Sequence, residues 1–218
     1  MLLLEVHTIQ RTRMRIPQQL CLIEKVPHSI TINHIDQFKT ICTKTGIIHY
    51  LSLYYKSDSN CKNHYSIFDT TPTTFNIIIE NDNAGFTAFT QRFKELAIGN
   101  YINERMPSKH CEKNLWLIKP AAMNQGRGIE VFSSLSWLRK FFNKKVPHSV
   151  WVVQKYIERP LLYFGRKFDI RIWGLVSTTE EFYIYKHGYL RTSSDIFNID
   201  SNENWVHLTN NCLQKFGS

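Results

Sequence analysis

Residues 167–172 read Lys167-Phe168-Asp169-Ile170-Arg171-Ile172, a strict alternation of charged and apolar side chains. Period two is the signature of a strand, where successive side chains point to opposite faces. The pattern predicts Lys167, Asp169 and Arg171 on one face. It predicts Phe168, Ile170 and Ile172 in a core on the other. The polar face is then a row of cation, anion and cation. A solvent-facing strand whose charges satisfy one another reads the same way, so the row gains meaning only from its neighbours. The stretch from Phe168 to Val176 reads as one strand.

Further cations lie upstream. Leu115 to Lys119 reads as a short buried strand that ends at Pro120 and leads to Asn124-Gln125-Gly126-Arg127-Gly128. Glycines let a backbone approach an anion without Cβ obstruction, and its N–H groups can then face phosphate oxygens. Lys119 and Arg127 add long cationic arms. The loop is neither a Walker A sequence nor GxGxxG. A tight hairpin carrying a surface arginine is the alternative.

Ile129 to Phe132 resumes an extended pattern, and Ser133 or Ser134 caps a helix bearing Leu135, Leu138, Phe141 and Phe142. Pro147 breaks that helix. Val150 to Ile157 is the next strand. Its end, Gln154-Lys155-Tyr156-Ile157, suits a hinge whose backbone reads the edge of a base while apolar groups flank the ring. A core strand with a polar end is the alternative. Phe182 to Tyr185 is expected to pair with Tyr189 to Arg191 across a turn at His187-Gly188. Arg191 carries a guanidinium suited to a carboxylate. Thr209 and Asn210 offer small polar contacts, although such residues also favour turns.

The first hundred residues read as mixed short elements. Ile47 to Tyr55 is rich in β-branched and aromatic residues and predicts a strand. The turn cluster Thr70-Thr71-Pro72-Thr73-Thr74 precedes a second strand, Phe75 to Ile79. Asn81-Asp82-Asn83 marks a loop or helix start. Phe86, Phe89, Phe93 and Leu96 then recur at helical spacing, with Gly99 as a stop. A polar connector, Met106 to Lys109, divides an N-terminal α/β region, residues 1–105, from a second region, residues 106–218. The predicted class is α+β.

Composition narrows the function classes. With 43% hydrophobic and 21% charged residues in 218, the chain is globular material. A formal net charge of +9 favours acidic partners. Arg11, Arg13 and Arg15 form a small basic cluster. No helix-turn-helix, RNP or zinc-finger pattern supports nucleic acid as that partner. The five cysteines contain no CxxC, and no HExxH occurs. Neither a signal-peptide core nor an apolar run of membrane-spanning length is present, so a cytoplasmic protein with reduced thiols and no membrane partner is expected.

Six stretches occur in one order: WLIKP, NQGRGIEVF, VVQKYIERPLL, GRKFDIRIW, YKHGYLRTSS and HLTNN. This series resembles the tubulin–tyrosine-ligase-like family, strongly over residues 115–211, with TPTTF and the following helix resembling the region just upstream. The resemblance implies an ATP-grasp-like fold that is incomplete at the C-terminus. It implies an ATP-dependent ligase that activates a carboxylate as an acyl phosphate, which an amine displaces to form an amide. It assigns Lys119 to the ATP phosphates and Gln125, Gly126, Arg127 and Gly128 to the loop over them. Gln154, Lys155, Tyr156 and Ile157 would hold adenine, with Lys167, Asp169, Thr209 and Asn210 completing the nucleotide site. Arg171 and Arg191 would neutralise the reacting phosphate or bind the incoming carboxylate.

The loop NQGRGIEVF is closer to family members that add glutamate or glycine as side-chain branches than to those that add tyrosine. The acidic tails of tubulin then become the partner that the net charge requires. Microtubules, and by extension cilia and axonemes, become the expected location. Family members carry a further Asp and a Glu-x-Asn motif that bind Mg2+ after the position of HLTNN. The chain ends at Ser218, so no metal ligand is assigned within it. It is expected to be a truncated form that does not ligate by itself. A noncatalytic tubulin- or microtubule-binding protein is the alternative.

Overall fold

Phe89 is fully buried, and Phe75, Phe93, Trp116 and Phe132 ring it with centroids 5.0–6.1 Å away. This aromatic cluster fixes the architecture of the chain. The structure is a computed structural model that describes residues 42–57, 67–79, 84–99, 113–176 and 181–215. All of these fall in one compact unit, Lys39–Ser218. The basic cluster Arg11, Arg13 and Arg15, the loop Asn81–Asn83 and the connector Met106–Lys109 lie outside the described residues.

In chain order the elements are α1 (Lys44–Ser57), α2 (Ile67–Thr70), β1 (Thr74–Ile78), α3 (Ala84–Ala97), β2 (Trp116–Pro120), β3 (Glu130–Phe132), α4 (Leu135–Phe142) and β4 (Val150–Lys155). There follow β5 (Leu162–Tyr163), β6 (Arg166–Arg171), β7 (Gly174–Val176), β8 (Phe182–Ile184), β9 (Tyr189–Thr192), α5 (Asn204–His207) and α6 (Asn211–Gln214).

β1, β4, β2 and β3 form an antiparallel sheet in that order. The sheet crosses the expected division at residue 105, since β1 precedes it and β2–β4 follow it. Its two faces differ in chemistry. Ile77, Trp116, Ile118, Trp151 and Val153 point to the face covered by α3 and α4, where Phe89, Phe93, Leu96 and Leu138 complete the core. Each such buried side chain contributes about 1.5–3 kcal/mol relative to exposure. Thr74, Lys119 and Gln154 alternate onto the opposite face. α1 reaches that face, where Asn76 donates to the carbonyl of Thr45 at 3.2 Å.

The helical spacing of Phe86, Phe89, Phe93 and Leu96 is realised in α3, and Gly99 adopts φ +84° just beyond it. Ser134 is the cap of α4, its hydroxyl accepting from the Trp137 N–H at 3.4 Å. The helix ends at Phe142, ahead of Pro147.

Three expectations are corrected. Residues 47–55 form the middle of α1, not a strand. The half-buried positions Lys44, Ile48, Leu51 and Tyr55 are spaced four, three and four apart. That stripe outweighs a β propensity that reflects packing context more than backbone preference. The run 168–176 is two strands, β6 and β7. The pairing downstream is nested: β8 pairs with β7, and β9 pairs with β6 in the register Asp169↔Arg191. Gly188 is therefore not the turn of a hairpin but a point of close approach, where an added Cβ would lie 2.7 Å from the Arg171 carbonyl oxygen.

β5, unforeseen in the sequence, pairs with β6 through a two-residue turn at Phe164-Gly165, both with positive φ.

Candidate functional site

The site is built on the polar face of the first sheet. Lys119 and Gln154 project there from adjacent strands, and the Lys119 ammonium donates to Gln154 Oε1 at 2.6 Å. Gln154 in turn donates to the Thr74 hydroxyl at 2.9 Å, so a polar chain crosses β2, β4 and β1. Burial, and secondarily the charge of Lys44, lowers the Lys119 pKa to about 8. Lys44 was missed in the sequence. It opens α1 and donates to the carbonyls of Pro120, at 2.9 Å, and Met123, which anchors the chain entering the glycine loop. Its signal was concealed by the mistaken strand, which left no reason to bring residue 44 near residue 120.

The second sheet supplies Lys167. Its ammonium rests 4.0 Å above the centre of the fully buried Tyr156 ring. Burial, and secondarily the charge of Lys119, lowers its pKa to about 7. Among the described residues no carboxylate pairs with either ammonium. Two half-buried cations, one within reach of the other's charge and neither paired with an acid among the described residues, are complementary to an anion.

Asp169 is engaged differently. One carboxylate oxygen accepts from Arg191 Nε at 2.7 Å and the other from the Thr209 hydroxyl. The Asp169 hydrogen bond raises the Arg191 pKa above its ordinary value. Asn210 packs on the glycine loop: a Cβ added to Gly126 would lie 3.1 Å from its amide group and 2.6 Å from Leu213 Cδ1. Gln125, Gly126 and Gly128 all adopt positive φ, at 61°, 81° and 69°. Arg127 is exposed and donates to Gln125 Oε1 at 2.9 Å.

The structure thus links Lys119, Gln154, Tyr156 and Lys167 in one cluster, Asp169, Arg191 and Thr209 in a second, and Asn210 with Gly126 in a third. It separates others. The fully buried Lys155 side chain turns into the core side and forms an ion pair with Glu158 at 2.5 Å. Glu158 also accepts from the Leu115 N–H at 2.6 Å, and Lys155 donates to the Leu115 carbonyl at 2.9 Å. This pair fastens the start of β2 to the end of β4 and takes the Lys155 side chain away from the site, while its backbone N–H donates to the Thr73 carbonyl at 2.7 Å. Ile157 is partly exposed, and its backbone makes no hydrogen bond among the described residues. Arg171 is exposed, and its side chain makes no hydrogen bond or ion pair among the described residues.

β6 does not divide its faces as predicted: Phe168 is half-buried like its charged neighbours, and Arg171 is exposed. Lys167 and Asp169 are half-buried against the site, whereas Ile170 and Ile172 are 62% and 57% exposed. Phe182 and Ile184 on β8 are likewise exposed. The alternation sets the strand but not a core for Ile170 and Ile172, and Lys167 is covered because its ammonium lies over the buried Tyr156 ring.

Residues 23–218 match the profile of the Tubulin-tyrosine ligase family. The chain belongs to that family. Within the family it is 42% identical over 109 residues to tubulin monoglycylase TTLL3 of Homo sapiens, covering 48% of this chain and 14% of that protein. It is 42% identical over 106 residues to tubulin glycylase 3A of Drosophila melanogaster, covering 47% of this chain and 11% of that one. It is 42% identical over 109 residues to protein monoglycylase TTLL8 of Homo sapiens, covering 48% and 13%. The match therefore spans about a seventh or less of each of these family members. Among the described residues no helix is long and apolar enough to cross a membrane.

Proposed function

We propose that this chain carries the nucleotide-binding part of an ATP-dependent ligase that joins an amino acid to tubulin tails by the acyl-phosphate route. The observation that carries the reading is that Lys167, seated over the Tyr156 ring, feels the charge of Lys119 from the other sheet, with no carboxylate paired to either among the described residues. Phosphates fit that gap, since anionic oxygens would offset the repulsion and restore the charge that burial disfavours. ATP, when bound, supplies the leaving group that turns a carboxylate into an acylating agent.

The rest of the donor set fits a nucleotide. The loop Gln125–Gly128 offers backbone in the conformations that anion cradles use. The backbone of Ile157, unengaged among the described residues, suits the edge of a base. Asp169, held by Arg191 and Thr209, suits a ribose hydroxyl as acceptor. Two antiparallel sheets bearing these groups are compatible with an ATP-grasp arrangement. Arg171, exposed beside Asp169 on β6, is left to meet the acyl group or the incoming amino acid.

Among the described residues no three His, Cys, Asp or Glu side chains cluster to hold a metal. The relatives are named glycylases, which supports glycine over glutamate as the amino acid and the microtubule cytoskeleton, including cilia, as the location. The net charge of +9 suits acidic tubulin tails.

Calorimetric titration of the 218-residue chain with ATP tests the reading. Saturable binding is expected, weakened at least about tenfold in Lys119→Met and in Lys167→Met. Equal binding by wild type and both variants would contradict it.

A further inference from the structure

His207 contributes no charge to the site, yet it contacts the ring on which Lys167 rests. It is 2% exposed and meets Tyr156 and Phe197 edge-on, with ring centroids 5.4 Å and 6.1 Å away. Its two nitrogens have distinct partners. Nε2 lies 2.8 Å from the Ser201 carbonyl oxygen, which can only accept, so Nε2 carries the hydrogen. Nδ1 is then an acceptor, and it takes the Tyr156 hydroxyl hydrogen at 2.9 Å. Burial and the nearby Lys167 charge both lower the His207 pKa and favour this neutral ring, against the opposing pull of the Ser201 carbonyl.

The consequences extend in two directions. The face of the Tyr156 ring carries the Lys167 ammonium. Two residues beyond His207, the Thr209 hydroxyl donates to Asp169, and the next residue packs on Gly126. We propose that His207 is a positioning residue of the nucleotide site, acting through the Tyr156 hydroxyl to fix the ring beneath Lys167 and to hold Thr209 and Asn210 in place. The proposal rests on the nucleotide reading and deepens it.

The physical need is specific. Lys167 has four rotatable bonds, is repelled by Lys119 and has no acid partner among the described residues. Among the described residues it is the Tyr156 ring face that holds its ammonium inward. A buried tyrosine whose hydroxyl loses its acceptor shifts to find another. The ring would then move, and Lys167 would swing toward water.

The two functions of the imidazole can be separated. His207→Asn places an amide oxygen near the Nδ1 position and keeps an acceptor for Tyr156. His207→Gln reaches Ser201 with its amide N–H and loses that acceptor. Tyr156→Phe keeps the ring and loses the hydroxyl. Two measurements apply to the 218-residue chain: ATP affinity by calorimetry, and the Lys167 titration midpoint by 13Cε NMR without nucleotide.

His207→Gln and Tyr156→Phe are each expected to weaken ATP binding about tenfold and to raise the Lys167 midpoint, with the double variant no weaker than about twofold beyond the worse single. His207→Asn is expected to lose less than about threefold. Equal losses in the Asn and Gln variants, or an unmoved Lys167 midpoint in Tyr156→Phe, would overturn the proposal and leave His207 a stabilising core residue. The nucleotide reading is scored apart. Wild type that ignores ATP while the Lys167 midpoint moves in the variants refutes that reading and leaves the seating of Lys167 standing.

Discussion

The ammonium groups of Lys119 on β2 and Lys167 on β6 come from separate sheets, and the charge of Lys119 depresses the Lys167 pKa. Burial is the larger cause at both residues. A pair of like charges placed this way costs stability. It persists because the aromatic core behind the first sheet supplies the surplus.

That cost has a pH signature. The pKa values fall from 10.5 in the unfolded chain to about 8 and about 7 in the folded one. Between pH 7 and 10.5 the unfolded chain therefore binds more protons, and stability rises with pH. Well below pH 7 both states are protonated at these residues, and the penalty is complete. Urea unfolding at pH 6.5 and pH 9 is expected to show a higher midpoint at pH 9 from these groups. Lys167→Met should raise the midpoint at pH 6.5 and shrink the difference. A difference unaltered by Lys167→Met contradicts the assignment.

Gly126 is the tightest point of the loop. Alanine there would combine positive φ with a Cβ 2.6 Å from Leu213 Cδ1. Gly126→Ala is expected to destabilise the chain by about 1–2 kcal/mol from backbone conformation alone, and by more from the clash. Adding Leu213→Ala should recover the clash component in a denaturation curve but not the conformational one. Full recovery would show that backbone conformation at this glycine is unimportant.

The Lys155–Glu158 pair makes a contrasting prediction. Both side chains are completely buried, and both are tied to Leu115. Glu158→Gln removes the carboxylate that Lys155 pairs with at 2.5 Å, and a loss of about 3–5 kcal/mol in unfolding free energy is expected. A loss below about 1 kcal/mol, the scale of exposed pairs, would mean that the pair is open to solvent.

Much of this was readable from residue order. The helical spacing of Phe89, Phe93 and Leu96 and the Ser134 cap are local signals, and the structure realises them. The alternation in Lys167–Ile172 set the strand but not which face would be covered. That depends on the other sheet, which supplies Lys119 and Gln154 from 48 and 13 positions upstream of Lys167. Lys155 illustrates the same limit. A lysine inside Gln154–Ile157 looks like a ligand contact until Glu158, three residues on, takes its charge on the core side. Residues 47–55 misled because β-branched and aromatic side chains sit equally well on a helix that packs one stripe.

The central claim is that Lys119 and Lys167 together hold nucleotide phosphates, and the most direct measurement is their protonation with and without ATP. NMR titration of 13Cε-labelled lysines in the free chain is expected to place the two midpoints near 8 and 7. Saturating ATP should raise both, because an anion favours the charged forms. Calorimetry in buffers of different ionisation enthalpy should then record proton uptake on binding near pH 8. Midpoints that ATP leaves unchanged, with no proton uptake, would contradict the account.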